Sequence, residues 1–395
     1  LPHAPVHWLT IQPHFNDLVI GTYGRGFWIM DDITPLQQMT NVIRSSDVHL
    51  FEPRDAYRFH SVGSPMSGQD PAAGRNPNPG ASISYWLSKE MSGAADQGEV
   101  DEPGETQEMG IPGNTGTLNE EMDPSGGRNR RTRVTIEILN DNGEVVRTIR
   151  NAPARPGLNR TYWNMRYESS ARAVMRTKPL GHPHVELNEN GTRNPGDGRP
   201  ITPMAPPGIY TLQLKVNNEP PQKQPLTLLM DPASMGSETE INEQLQMMLE
   251  LRDNQNDIAG MLNEAEIVRS QLYELRTLLR NHDDFSEINN QITALDEKII
   301  GLEMNLTDLR LVGGQDTLRY PRQLYAKIAS LSGYISGHDF APAEAHRTVH
   351  EMYKENIGTY MTQMKGIREG DLAAFNRMLQ EKGIGTVITG KEGGN

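Results

Sequence analysis

Near residue 237 the apolar residues change their spacing from every second position to about every 3.6, and that change divides the chain into a β part and an α part. Ser237 and Glu240 stand three apart as a capping box. Beyond them Met247, Leu251, Asn254, Ile258, Met261, Ala265, Val268, Leu272, Leu275 and Leu279 alternate steps of four and three, the seam of a helix lying along another helix. Asn254 is the one polar residue in it. After "NHDD", Phe285, Ile288, Ile292, Leu295, Ile299, Leu302, Leu306 and Leu309 repeat the pattern, which predicts an αα-hairpin of two long antiparallel helices. A third helix (Leu324, Ile328, Leu331, Ile335), a fourth running from Pro342 and a short fifth from Asp371 to Lys382 complete a bundle over residues 237–388, and the tail "TGKEGGN" frays. The heptads are satisfied by neighbours in the same chain or, in the other reading, by a second copy.

Upstream, "VHWLTI", "LVIGTY" and "FWIM" are split by "QPHFND" and "GRG", which predicts three consecutive antiparallel strands. Three strands close no core alone, so residues 1–40 read as one repeat of a larger sheet or as an edge packed on something else. Residues 41–80 are rich in Gly, Pro, Ser and Asn and read as a surface connector. Over residues 81–232, "GASISYWL", the hairpin "RVTIEILNDNGEVVRTI", "GLNRTYWNMRY", "PPGIYTLQLKVNN" and "QPLTLLMD" predict an immunoglobulin-like β-sandwich. Its acidic insertion, residues 93–128, has too few apolar residues to order itself. The fold class is therefore multidomain, β then α.

The 395 residues carry 38 Lys+Arg against 51 Asp+Glu, a net charge of -13, with no long basic stripe. That balance argues against nucleic acid and anionic membranes as partners. The lack of cysteine removes disulfides, thiolate metal sites and cysteine nucleophiles. No apolar run approaches the ~20 residues of a membrane span, and a signal peptide, if the protein has one, lies upstream of Leu1.

Several constellations carry chemistry. The glycines of "GTYGRG" suit a phosphate loop only if a helix follows, and "FWIM" predicts a strand, so they serve a tight strand connection. Arg25 is a candidate binding residue with Asp31 and Asp32: it either reaches a carboxylate ligand bidentately or pairs with one of those aspartates inside the sheet. His346 and His350, one helical turn apart, are candidate metal ligands with Glu344 and Glu351 nearby, or two histidines on a solvated face. His182, His184 and Glu186 in "GHPHVE" form a weaker metal candidate, and "NDNGE" lacks calcium-loop spacing. Asn159, Asn190 and Asn305 begin glycosylation sequons that matter only in a eukaryotic secretory route. Nothing in the sequence calls for a cofactor, and no catalytic residue is assigned.

The stretch "VHWLTIQPHFNDLVIGTYGRGFWIMDDITPLQ" resembles the final blade of the large bacterial sortilin-type propeller proteins, also known as YVTN- or BNR-like repeat proteins and often named glycosyl hydrolases. The matching positions are Pro13, Asn16, Asp17, Leu18, Val19, Gly21, Thr22, Gly24, Arg25, Gly26, Trp28, Ile29, Asp31, Asp32, Ile33, Pro35 and Leu36. Downstream, "LFEPRDAYRF", "GASISYWL", "PGLNRTYWNMRYE", "APPGIYTLQL", "YPRQLYAKIASLSGYI" and "DLAAFNRMLQEKGI" are similar, in the same order, to stretches that follow the propeller in that family. The resemblance implies a last propeller blade over residues 1–40, a connector, an immunoglobulin-like sandwich and a helical bundle, with most of the propeller absent from this sequence. No aspartate box of the Ser-x-Asp-x-Gly-x-Thr-Trp kind occurs.

The expectation that follows is a non-catalytic, extracytoplasmic scaffold or interaction region that binds a protein or glycan and has the remaining blades as intramolecular partner. The alternative is the accessory end of a sialidase-like glycoside hydrolase whose carboxylates lie in the missing blades.

Overall fold

In the computed structural model the described residues are 1, 3–60, 78–89 and 132–390. The acidic insertion, residues 93–128, and residues 61–77 of the connector lie outside them. Strands come first and helices after, and the chain divides into two compact units.

The first unit takes Leu1–Arg166 and Ala205–Ala233. Strands β1 (Val6–Gln12), β2 (Asp17–Thr22) and β3 (Phe27–Met30) form an antiparallel sheet in that order. Between β2 and β3, Gly24 (φ 71°) and Gly26 (φ 69°) adopt left-handed backbone that a side chain would strain, and Thr22 N–H donates to Gly26 O at 3.2 Å. The glycine motif is thus a turn into a strand, and no helix follows it. Both faces of this sheet are open: Trp8 (72% exposed) and Leu9 (59%) project to opposite sides of β1, as do Phe27 and Trp28 on β3.

Two short helices, α1 (Thr34–Gln38) and α2 (Asn41–Ser45), lead to β4 (Val48–Leu50) and β5 (Ala56–Arg58). These two strands correct the reading of residues 41–80 as a connector throughout. The segment is short of periodic signal because each strand has only three residues, too few to show alternation. Strands β6 (Ala81–Leu87), β7 (Val134–Leu139), β8 (Val145–Ile149), β9 (Gly157–Trp163), β10 (Gly208–Val216) and β11 (Gln222–Met230) follow.

They make a five-stranded sheet, β5-β11-β10-β7-β8, and a three-stranded sheet, β4-β6-β9. All pairings are antiparallel except β5 on β11. The inward residues Val134, Ile136 and Ile138 of β7 and Leu212, Leu214 and Val216 of β10 are at most 2% exposed. Trp163 on β9 meets Tyr210 on β10 edge-on, ring centroids 5.0 Å apart, so the two sheets share one core.

The second unit takes Tyr167–Met204 and everything from Ser234. Residues 167–204, expected inside a sandwich over 81–232, therefore run with the helices. Helix α3 (Glu238–Leu278) begins with the expected capping box: Glu240 N–H donates to Ser237 Oγ at 3.3 Å and Ser237 N–H to Glu240 Oε2 at 2.9 Å. The Ser237 N–H and next the Ser237 hydroxyl, both donating to Glu240 Oε2, hold that carboxyl below its usual range. Helix α4 (Phe285–Leu306) runs antiparallel to α3, with Arg276 bonded to Thr293, and Arg269 to Asp296 and Glu303.

Helix α5 (Leu324–Ile335) ends against α3, where buried Gln244 donates from Nε2 to the carbonyls of Ile335, His338 and Phe340 at 2.8, 2.5 and 3.2 Å. Helix α6 (Glu344–Gly366) runs parallel to α3: Arg347 pairs with Glu243, Lys354 with Glu250 and Arg368 with Glu264, all at an offset of 104 residues. The predicted fourth and fifth helices are one run, since α6 passes through a π-helical turn (Ile367–Leu372) directly into α7 (Ala373–Glu381).

Candidate functional site

A cleft of about 290 Å³ opens in the first unit where the exit from β3 meets β5, β6 and the end of β9. Its floor and rim are built from three unusual backbone positions. Asp32 (φ 47°) and Met165 (φ 56°) are non-glycine residues in left-handed conformation, and Gly80 (φ 117°) sits where a Cβ would stand 2.2 Å from Trp163 O. Glycine alone fits there.

The turn after β3 is pinned from several sides. Asp32 N–H donates to Asp17 Oδ1 at 2.8 Å, Thr34 N–H donates to Asp32 Oδ1 at 3.2 Å, and Ile33 N–H donates to Asn16 O at 2.9 Å. Arg160, from β9, donates from one guanidinium nitrogen to Asp31 O at 2.8 Å and from the other to Asp32 O at 2.5 Å. The side chains of Asp31 and Asp32 are thereby set on a rigid frame.

The polar lining includes Asp17, Asp31, Asp32, Arg54, Asn78 and Ser82. Arg54 Nε lies 3.9 Å from Asp32 Oδ2 and its guanidinium stacks over Phe15 at 5.2 Å. Burial, and next the Asp17 carboxylate, push the Asp31 carboxyl above its usual range, while Arg160 and Arg54 pull against them. Two polar atoms in this lining, Arg54 Nε and Ser82 Oγ, are buried and have no hydrogen-bond partner among the described residues. The apolar lining is aromatic: Phe15, Tyr57, Phe59 and Tyr162, with the rings of Tyr57 and Phe59 stacked at 5.5 Å.

Of the residues singled out in the sequence, Asp31 and Asp32 line this cleft and Arg25 does not. Arg25 is exposed on the β2–β3 turn, where its carbonyl accepts from Trp28 Nε1 at 3.1 Å. Arg54 stands beside the Asp32 carboxylate in the place predicted for Arg25, while Arg160 holds the backbone carbonyls of Asp31 and Asp32.

His350 is buried, 3% exposed, which corrects the picture of two histidines on a solvated face. Its Nε2 bonds Asn254 Oδ1 at 2.8 Å, so the one polar residue of the α3 seam has a histidine as partner. Burial lowers the His350 pKa, with Lys354 adding to the effect. His346 Nδ1 instead accepts from Ala343 N–H at 3.3 Å, at the start of α6. Glu186 is bonded to Lys178 at 3.2 Å. Among the described residues no group of three or more His, Asp or Glu is placed to hold a metal ion.

Sequence reasoning missed Arg54, Tyr57, Phe59 and Ser82. The signal for Arg54, Tyr57 and Phe59 was "PRDAYRF", a cluster of charged and aromatic residues, while Ser82 in "GASISYWL" gave none. Compared with known protein families, curated proteins and solved structures, the chain matches none.

Proposed function

We propose that this chain is a non-catalytic scaffold and interaction region of an exported, sortilin-like β-propeller protein, in which β1–β3 serve as a propeller blade, the two-sheet unit is immunoglobulin-like, and the partner is a protein or a glycan. The observation that carries it is the exposure of apolar and aromatic residues on both faces of β1–β3. A sheet of this kind is stable only when other sheets cover it. The motif "LVIGTYGRGFWIMDDI" supports the propeller reading, and export follows from that resemblance alone.

Hydrogen exchange on this chain tests the blade reading. The amides of β1–β3 should exchange fastest of the three sheets, and exchange as slow as that of β6 and β10 overturns it. Turnover of aryl glycosides or sialosides by this chain overturns the non-catalytic part.

A further inference from the structure

We propose that the cleft beside Asp31 and Asp32 is a saccharide subsite that takes one neutral pyranose ring. The inference rests on the interaction role given above and not on the propeller reading.

The shape comes first. A cavity of about 290 Å³ lies at the bottom of the ~300–1,000 Å³ range of small-molecule pockets, which suits one sugar ring. Its aromatic wall offers flat apolar faces of the kind that stack on the C–H face of a pyranose. Phe59, 44% exposed, presents such a face, and Tyr57, stacked between His14 and Phe59, backs it.

The polar groups then choose among ligands. Three carboxylates exclude an anionic ligand, which would bring a fourth negative charge among Asp17, Asp31 and Asp32. A cation is drawn to the carboxylates, but Arg54, 3.9 Å from Asp32, offsets part of their charge, and a cation offers nothing to accept from its donors. Vicinal sugar hydroxyls both donate and accept. They match a set that combines carboxylate acceptors, the Arg54 donor and the hydroxyl of Ser82, which can do either.

Ser82 is the decisive residue. It is 7% exposed, it lines the cleft, and its Oγ has no hydrogen-bond partner among the described residues. A buried hydroxyl left unpaired is unfavourable, and folded proteins seldom keep one without a use. The left-handed backbone at Asp32 and Met165 and the close approach at Gly80 fix the same lining in place before a ligand arrives.

The test is a ligand-observed NMR titration of the whole chain with the methyl glycosides of glucose, galactose and mannose and with N-acetylglucosamine. Choline, N-acetylarginine methylamide and N-acetylneuraminic acid are parallel probes. At least one neutral sugar should bind with a Kd of about 1 mM. Ser82→Ala should weaken that binding about fivefold, as loss of one hydrogen bond implies, while its thermal midpoint stays at or above that of the parent because the hydroxyl has no partner to lose. Phe59→Ala, on the exposed side of the aromatic wall, should weaken it as well. Absence of binding by every neutral sugar overturns the proposal. So does preference for choline, the arginine derivative or the acidic sugar, and so does a Ser82→Ala protein that binds as the parent does. The exchange rates of β1–β3 are read on the chain without sugar, so failure here is distinguishable from failure of the blade reading.

Discussion

At the scale of single residues the most demanding chemistry in the chain lies in the second unit, around Arg269. Its guanidinium is 1% exposed and reaches Glu266 Oε1 at 3.0 Å, Asp296 Oδ1 at 2.8 Å and Glu303 Oε2 at 2.9 Å. Burial opposes the Arg269 charge, but Glu303, Tyr273, Glu266 and Asp296 hold it on. Arg193 also faces the cluster, with Nε donating to Thr177 O at 2.8 Å. Glu303 is the odd member: burial raises its carboxyl well above the usual range despite Arg269, and its Oε1 has no partner. Arg269→Met should cost about 3–5 kcal/mol in urea unfolding, because it strips the cation from buried carboxylates. Glu303→Gln should behave oppositely. A carboxyl whose folded pKa is raised contributes stability at low pH that is lost as the pH climbs from the ordinary carboxylate range through the folded value. The parent should therefore lose stability over that rise and Glu303→Gln should lose less. Parallel pH profiles for the two proteins would refute this role for Glu303.

Elements were legible where one long period ran without interruption. The seam from Met247 to Leu279 and its return from Phe285 to Leu309 mark α3 and α4 because each apolar residue meets a neighbour helix of the same chain, and α3 and α4 obey the rule over 41 and 22 residues. What the seam hides is the second buried face of α3. Gln244, Gln255, Glu266 and Arg269 are each at most 4% exposed, and a hydropathy pattern assigns such residues to solvent. Gln244, Gln255 and Glu266 are buried because they satisfy backbone that has no ladder of its own, and Arg269 because it is ringed by carboxylates. Gln244 shows how much this matters: replacing it by methionine keeps the volume but leaves the carbonyls at the end of α5 without their donor. Gln244→Met should lower stability by about 1–3 kcal/mol. Glu250→Gln, which breaks a pair with Lys354 at 3.4 Å on an exposed face, should change it by less than about 1 kcal/mol. Equal effects from the two substitutions would show that the buried amide is not the tie between α3 and α5. The candidate cleft was half legible for a related reason. Asp31 and Asp32 stand in a recognisable motif, but Arg54 reaches them from the turn between the three-residue strands β4 and β5, and Ser82 from β6, whose period shows a strand but not its neighbours.

For the whole molecule, the decisive misreading concerned residues 167–204. Their turn-rich composition fits a sandwich loop, and local pattern carries no information about which core a loop joins. In the structure each unit is discontinuous in sequence, and the chain crosses between them after Arg166, Met204 and Ala233. The segment belongs with the helices because side chains of α3 take the place of a neighbouring strand along it. Ala171 N–H donates to Asn256 Oδ1 at 2.7 Å, Val174 N–H to Asn263 Oδ1 at 2.8 Å, and Thr177 N–H to Glu266 Oε2 at 2.7 Å. Arg176 N–H donates to the same Glu266 oxygen, and Asn263 returns a bond from Nδ2 to Arg172 O at 3.1 Å. An irregular segment held this way should open only when α3 opens. The amides of Ala171, Val174, Arg176 and Thr177 should then exchange hundreds of times more slowly than an exposed loop, roughly the factor that about 3–4 kcal/mol of protection gives. Asn263→Ala should release Val174 while Thr177, held by Glu266, stays protected. Loop-like exchange at all four amides in the parent would separate residues 167–204 from the helical unit. Release of the four together in Asn263→Ala would make the segment one cooperative strap in place of a series of independent ties.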